Sequence, residues 1–300
     1  MPELPEVQTT VNGINTVAKN RKIIDIWTDF NSSHKMFLNT IKNTDYFKSF
    51  KQKIINTKII KAERKAKNIL IHLNNKETIL IHLKMTGHIM YGKYEYNKKQ
   101  NKWTPQKGQK YLEDSYNRFI HLVFVLDNNK HLVLSDTRKF AKILLLDDNN
   151  RKQLDLLGPE PLSPDFTFSI FKNNINKHSN KYIKTVLMKT ETISGIGNIY
   201  SDEILHKSKI LPNRKVSSLN EKELKEIYKN IKILLNKGIE LGGDSMSDYR
   251  NIYGQKGGFQ NTHKVYRRNK EKCLNKSCDG IIQRQILDGR SSHFCIRCQK

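Results

Sequence analysis

The sequence predicts an α+β chain of several domains, and three observations predict it. A helical apolar stripe opens the chain, alternating β-branched runs fill the first half, and all four cysteines fall in the last 28 residues, behind a stretch of helical periodicity. The expected order is an antiparallel β domain carrying an N-terminal helix, then a helical domain, then a cysteine hairpin.

The first element begins at MPELPEV, where two prolines and two carboxylates fall within six residues. Both residue types suit the first turn of a helix, whose leading N–H groups have no partner. Leu4, Val7, Val11, Ile14 and Ala18 then recur at three- and four-residue steps and make one stripe. Glu3 and Glu6 lie roughly 60° apart around such a helix and share a face. NILIHL (68–73) and TILIHL (78–83), joined by NNKE, read as a hairpin; FIHLVFVL (119–126) and HLVLS (131–135) read as a second, with KILLL (142–146) as a further strand. The polar stretch between Tyr91 and Asn117 reads as a long loop or insertion. The first domain is therefore expected over 1–155.

LLGPEPLSPDF, with three prolines and a glycine, places a linker at 156–166. KYIKTVLMK, SDEILHKSKIL and LNEKELKEIYKNIKILLNKGIEL (219–241) read as helices of a domain over 167–242, the last closing at Gly242-Gly243. Residues 243–266 are rich in Gly and Tyr without periodicity and form a long loop, and the cysteine hairpin occupies 267–300.

Composition narrows the partners. The formal charge is +25, from 54 basic and 29 acidic residues, which favours a polyanion such as nucleic acid. The crowding of Lys, Asn and Ile is what AT-rich coding produces; it explains Lys in place of Arg, but not basic residues in excess of acidic ones. No apolar run approaches a membrane span and no signal-peptide pattern opens the chain, so a soluble cytoplasmic protein without a membrane partner is expected. Cys273, Cys278, Cys295 and Cys298 follow C-x4-C-x16-C-x2-C, with Gly280 and Gly289 placed for tight turns. The spacing suits tetrahedral zinc at Zn–S distances of about 2.3 Å, and four thiolates leave no open position, so one structural Zn2+ is expected. Arg284, Arg290 and His293 would present cations to phosphates from the hairpin between the pairs.

Several stretches, MPELPEV, AKNILIHL, HLKMTG (82–87), DTRKFAK (136–142), LGPEPL (157–162), SGIGNIYSDEIL (194–205), GGFQNTHKVY (257–266) and FCIRCQK, occur in that order along the chain. Together they resemble the formamidopyrimidine-DNA glycosylases, bifunctional base-excision repair enzymes that remove oxidised purines such as 8-oxoguanine. The resemblance implies an N-terminal antiparallel β-sandwich with flanking helices, a helix-two-turns-helix DNA-binding domain and a C-terminal β-hairpin zinc finger. It also implies double-stranded DNA carrying oxidised bases or abasic sites as the partner, bound by a monomer.

The resemblance assigns roles to matching residues. Pro2, freed by removal of Met1, becomes a secondary amine of ordinary pKa about 7.7–8, against about 10.4 for lysine, and so a nucleophile and Schiff-base former. Glu3 is the general acid/base and Glu6 supports the amine or the sugar. Lys67 contacts the lesion and serves β-elimination; Arg290 clamps phosphate and serves δ-elimination. Met85, Arg138 and Phe140 fill the space left by a flipped nucleotide and address the opposite base. Alternation would put Arg138 and Phe140 on the same side of their segment. Asn198 and the backbone of SGIGNIY, which no strand precedes as a dinucleotide fingerprint requires, grip phosphates. His82 is a further phosphate contact, and 243–266 closes over the flipped purine.

This chain departs from the family's pattern in places. Asn117, Arg118 and Phe119 stand where histidines are usual, which passes that phosphate contact to Arg118; Arg267 replaces a glycine, Lys189 an acidic residue, and the first cysteine pair is two residues wider. The alternatives are an endonuclease VIII-like glycosylase for oxidised pyrimidines, a catalytically silent damaged-DNA-binding member, and, from charge and cysteines alone, a zinc-ribbon RNA-binding protein. PELPEV and the GGFQ loop favour the purine enzyme, and intact Pro2, Glu3 and Lys67 argue against a silent one.

Overall fold

A computed structural model describes residues 1–300, which fall into two units. The first is Met1–Lys152 with Leu241–Gly258, and the second is Gln153–Glu240 with Phe259–Lys300.

In the first unit the chain runs through α1 (Leu4–Val17), β1 (Ile23–Thr28), α2 (Thr44–Ile54), β2 (Ile59–Lys65), β3 (Asn68–Leu73), β4 (Thr78–His82), β5 (His88–Gly92), β6 (Tyr94–Asn97), β7 (Lys102–Pro105), β8 (Ile120–Leu126), β9 (His131–Ser135) and β10 (Lys142–Leu145). Two four-stranded antiparallel sheets result, in the orders β1-β8-β9-β5 and β10-β4-β3-β2. Strand alternation sends Leu122, Phe124 and Leu126 of β8 and Ile69, Ile71 and Leu73 of β3 into one core, where the α1 stripe of Val7, Val11, Ile14 and Ala18 joins them. The intervening Val123 of β8, with Val133 and Met90, packs into a separate cluster with Tyr94, Leu112 and Ile120.

Two expectations change here. The stretch 91–117 is not one loop: it holds the β6–β7 hairpin, in which Tyr96 lies opposite Trp103, and a short 3-10 turn at Ser115–Arg118. Its strands are four residues long and mostly polar, so aromatic alternation was the only signal. Helix α2 was also not expected, although Asn43 caps it by accepting the Tyr46 N–H at 2.9 Å.

Leu241–Gly258 returns to the first unit after the helices of the second. Ile252 enters the core, and its carbonyl accepts the Tyr91 N–H at 2.7 Å. It rests on Gly13 in the middle of α1, where a Cβ would come within 2.6 Å of Ile252 Cβ. The helix therefore tolerates a poor helix former there for the sake of close approach.

The boundary between the units falls within α3 (Asp148–Asp155), and the second unit then holds α4 (Phe168–Asn176), α5 (Ile183–Leu187), α6 (Asn198–Lys207), α7 (Glu221–Glu240), β11 (Ile282–Leu287) and β12 (Arg290–Cys295). Helix α7 buries Leu224, Ile227, Ile231 and Leu235 at helical spacing. Buried Glu203 of α6 accepts the N–H groups of Lys264, Val265 and Tyr266 at 2.9–3.0 Å, which fastens that irregular segment to the helix. Segment 243–266 is irregular apart from a 3-10 turn at Phe259–Thr262, and it is divided between the two units at Gly258. No helix is long and apolar enough to cross a membrane.

Candidate functional site

In the first unit, Pro2, Glu3 and Glu6 are all buried at the start of α1. Glu6 Oε2 accepts the Glu3 N–H at 2.7 Å, so the carboxylate grips the peptide that follows Pro2. Glu6 Oε1 accepts the Asp244 N–H, also at 2.7 Å, and the Tyr249 hydroxyl donates to the Glu6 carbonyl at 3.0 Å. The loop approaches closely here: Gly243 has φ +87°, and a Cβ on it would lie 2.9 Å from Glu6 Cγ. Burial, then the neighbouring Glu3 charge, push the Glu6 carboxyl up to about 7 against the opposing pull of the two N–H donors. A carboxyl of that pKa exchanges protons at neutral pH.

Met85, Arg138 and Phe140 come together through a residue the sequence reading did not single out. Buried Asp136 accepts the Thr86 hydroxyl and the Arg138 N–H (3.3 Å) on one oxygen and the Ala141 N–H (2.8 Å) on the other, which ties the Met85 loop to the Arg138–Phe140 loop. The Asp-Thr-Arg order, an acidic residue opening a turn, was the available signal. Arg138 and Phe140 do lie side by side, with the guanidinium 4.4 Å from the ring centroid. Alternation is not the reason, since the segment is a turn with Lys139 at φ +55°. Met85 and Phe140 remain 39% and 48% exposed, and they line an apolar cavity of about 540 Å³ together with Met1, Met36 and Phe37. Met1 and the exposed Met85 and Phe140 side chains thus open on one space.

Lys67 sits in the tight β2–β3 turn after Ala66, whose φ of +54° is unusual for a residue with a side chain. Across the sheet His82 pairs with Asn68 and Lys142. Burial, helped by Lys84, Lys67 and Lys142, drives the His82 imidazole down to about 3, so it is neutral near pH 7. Its Nδ1 accepts the Lys84 N–H at 3.0 Å, which leaves the proton on Nε2 as an uncharged donor. Arg118 is exposed, its guanidinium 5.5 Å from the Phe119 ring. Asn117 is buried, bonded to His88 Nε2 at 2.9 Å and to the carbonyls of Tyr111 and Gly254, and is structural.

In the second unit, Asn198 opens α6, where the leading N–H groups of the helix favour anions. Arg290, exposed at the start of β12, lines a cavity of about 180 Å³ with Lys184, Lys189 and Asp288. His293 does not face phosphate as expected: it is buried, and its N–H and Nδ1 both contact Asp202 Oδ2 at 2.9 Å. Buried Lys184 donates to Asp202 Oδ1 at 2.6 Å and to the Ser291 carbonyl at 2.5 Å, so α5, α6 and β12 share one charged network. The four cysteine sulfurs all lie within 4.8 Å of one another and none is in a disulfide. Sulfurs about 2.3 Å from one tetrahedral ion stand about 3.8 Å apart, so the cluster fits a metal ion. Cys273 and Cys298 are 3.3 Å apart, Cys278 and Cys295 3.7 Å.

Comparison with known proteins bears on these features. The family model for the formamidopyrimidine-DNA glycosylase N-terminal domain matches residues 1–143, and that for the formamidopyrimidine-DNA glycosylase H2TH domain matches 157–250. The formamidopyrimidine-DNA glycosylase of Herpetosiphon aurantiacus is 33% identical with all of both chains covered, and that of Bacillus subtilis 31% identical over 100% of this chain and 99% of its own. Among solved structures, the complex of Lactococcus lactis Fpg with abasic-site DNA has a TM-score of 0.82 at 27% identity, covering 99% of both chains. A variant of that Lactococcus protein bound to Fapy-dG DNA scores 0.82 as well, at 27% identity over the whole of both chains. With the domain order, the buried amino-terminal carboxylates and the cysteine cluster, these matches establish that the chain belongs to the formamidopyrimidine-DNA glycosylase family.

Proposed function

We propose that the protein is a base-excision repair enzyme, a DNA glycosylase and abasic-site lyase that removes oxidised purines, 8-oxoguanine and formamidopyrimidines, from duplex DNA in the cytoplasm. The observation that carries the reading is the Glu6 carboxylate gripping both the peptide beside Pro2 and the Asp244 loop. It supports a nucleophile held in one place by the fold.

With Met1 removed, the Pro2 nitrogen attacks the sugar C1′ and the damaged base leaves with the bonding electrons, accepting a proton. Nitrogen then loses its own proton as the ring C1′–O4′ bond opens, which gives an iminium ion and a ring-opening oxygen protonated by Glu3. The iminium acidifies the C2′ proton; its removal expels the 3′ phosphate, and a second elimination expels the 5′ phosphate. Lys67 assists the first elimination and Arg290 holds phosphate for the second. Met85 and Phe140 wedge the opened stack while Arg138 addresses the opposite base. Asn198, His82 and Arg118 contact phosphates. The domain limits read from the sequence serve this division of labour, with 243–266 over the extruded base. The cysteines hold one Zn2+ as a structural ion that fixes the Arg290 hairpin.

Borohydride reduction in the presence of an 8-oxoguanine·cytosine duplex tests this. A covalent protein–DNA adduct is expected, lost when a residue that cannot be cleaved off is placed before Pro2. Absence of adduct and of strand cleavage, with DNA affinity intact, overturns the enzymatic reading; preference for a thymine-glycol duplex overturns the purine assignment.

A further inference from the structure

The β6–β7 hairpin takes no part in the scheme above. Residues 93–110 carry six lysines, Lys93, Lys98, Lys99, Lys102, Lys107 and Lys110, against one acidic residue, Glu95. All six are exposed, and none makes an ion pair with a carboxylate. A run of lysines on a floppy loop would be a solvated tail, but this one is mounted on a frame. Trp103 packs on His131 of β9 at 5.0 Å between ring centroids, on Tyr96 at 5.4 Å and on Trp27 of β1 at 6.4 Å. The Gln109 side chain accepts the Lys93 N–H at 3.0 Å, and the Lys93 carbonyl in turn accepts the Gln106 N–H, also at 3.0 Å. The charges therefore stand at fixed places on the face of the β1-β8-β9-β5 sheet turned away from the main core.

We infer that this hairpin is a second, sequence-independent contact surface for the phosphates of duplex DNA, additional to the lesion-binding residues. The residue types select that partner. Lysine is a flexible point charge suited to phosphate, and the hairpin holds no arginine to read a base edge. Its aromatic rings pack on one another, on Trp27 and on His131, and only Tyr96 among them is exposed, so the hairpin lacks the row of open rings on which successive single-stranded bases would stack. An enzyme that must search long stretches of undamaged duplex gains from contacts that are strong in total and indifferent to sequence.

The inference rests on duplex DNA being the substrate, and the test separates the two. Full-length protein carrying Lys98→Gln, Lys99→Gln and Lys102→Gln is compared with wild type and with a charge-matched control, Lys222→Gln, Lys229→Gln and Lys237→Gln, all exposed on α7. Binding to undamaged duplex is followed over a salt series. The slope of log affinity against log salt should become shallower in the hairpin variant by roughly 0.9 per lost phosphate contact, while the control keeps the wild-type slope. Arginine at the three hairpin positions should restore it. An unchanged slope in the hairpin variant, or equal losses in both variants, overturns the inference. Failure of wild type to form the borohydride adduct would instead overturn the enzymatic reading, whatever the slopes.

Discussion

Glu6 and Asp244, 238 positions apart in sequence, are joined by a 2.7 Å hydrogen bond from the Asp244 N–H to the Glu6 carboxylate. The same side chain holds the Glu3 N–H, so one buried carboxyl group sets the position of the amino terminus and of the loop together.

That arrangement predicts a pH dependence. Folding raises the Glu6 pKa from 4.5 to about 7, so its protonated form is favoured in the folded state. The associated stability is fully present below pH 4.5 and is lost as pH rises through about 7, a span worth on the order of 3 kcal/mol. Thermal unfolding of wild type between pH 5 and 8 should show this decline, and Glu6→Gln should flatten it. The Gln variant can accept only one of the two N–H groups, so adduct formation should fall with it; a parallel pH slope in both proteins would count against Glu6 as the titrating group.

Asp136 holds both loops that carry the exposed Met85 and Phe140. Asp136→Ala strands the Thr86 hydroxyl and the Ala141 N–H, while the Arg138 N–H keeps Thr86 Oγ1 at 3.2 Å, and should destabilise the protein by about 2–3 kcal/mol. Misplacement of Met85 and Arg138 should also lower the rate of adduct formation on lesion duplex by on the order of 100-fold. Unfolding midpoints and single-turnover trapping measure the two effects separately.

In the second unit, Lys184→Ala leaves Asp202 as a buried charge with only His293 beside it. A loss of about 3–5 kcal/mol is expected. Lys184→Met combined with Asp202→Asn should recover part of it, because the amide still accepts the His293 N–H and no lysine charge stays buried. Denaturant titration of the three proteins decides this.

Chelation should release a single zinc ion per chain and abolish DNA binding, as should Cys278→Ala. Both tryptophans, Trp27 and Trp103, lie in the first unit. Their fluorescence should therefore stay native while the second unit loosens. Simultaneous loss of the tryptophan signal would mean that the ion supports more than its own hairpin.

Legibility in the sequence followed periodicity. The α1 stripe, the β3–β4 and β8–β9 hairpins and α7 were all plain, because each buries one face at a regular interval. Strand β1 and helix α2 were missed, since exposed polar residues interrupt their apolar pattern. Within the site, Pro2 and the cysteines announced themselves by residue type. The second bond of Glu6 did not, because Asp244 is brought near only by the fold, and Asp136 showed its local turn but not its bond to the distant Thr86. His293 was misjudged for the same reason: a histidine among basic residues resembles a phosphate ligand until its buried carboxylate is seen.

The return of Leu241–Gly258 to the first unit bears on how the protein is made. Ile252 belongs to that unit's core, and Asp244 completes the hold on Glu6. A ribosome that has finished Lys152 has thus produced a β structure with a hole in it. At about 5–20 residues per second, the missing segment arrives roughly 5–20 s later, after all four helices of the second unit have been synthesised. The nascent first half should accordingly be prone to capture by chaperones, and the isolated fragment 1–152 should be recovered as an aggregate, whereas the same fragment supplied with a peptide spanning 241–258 should become soluble.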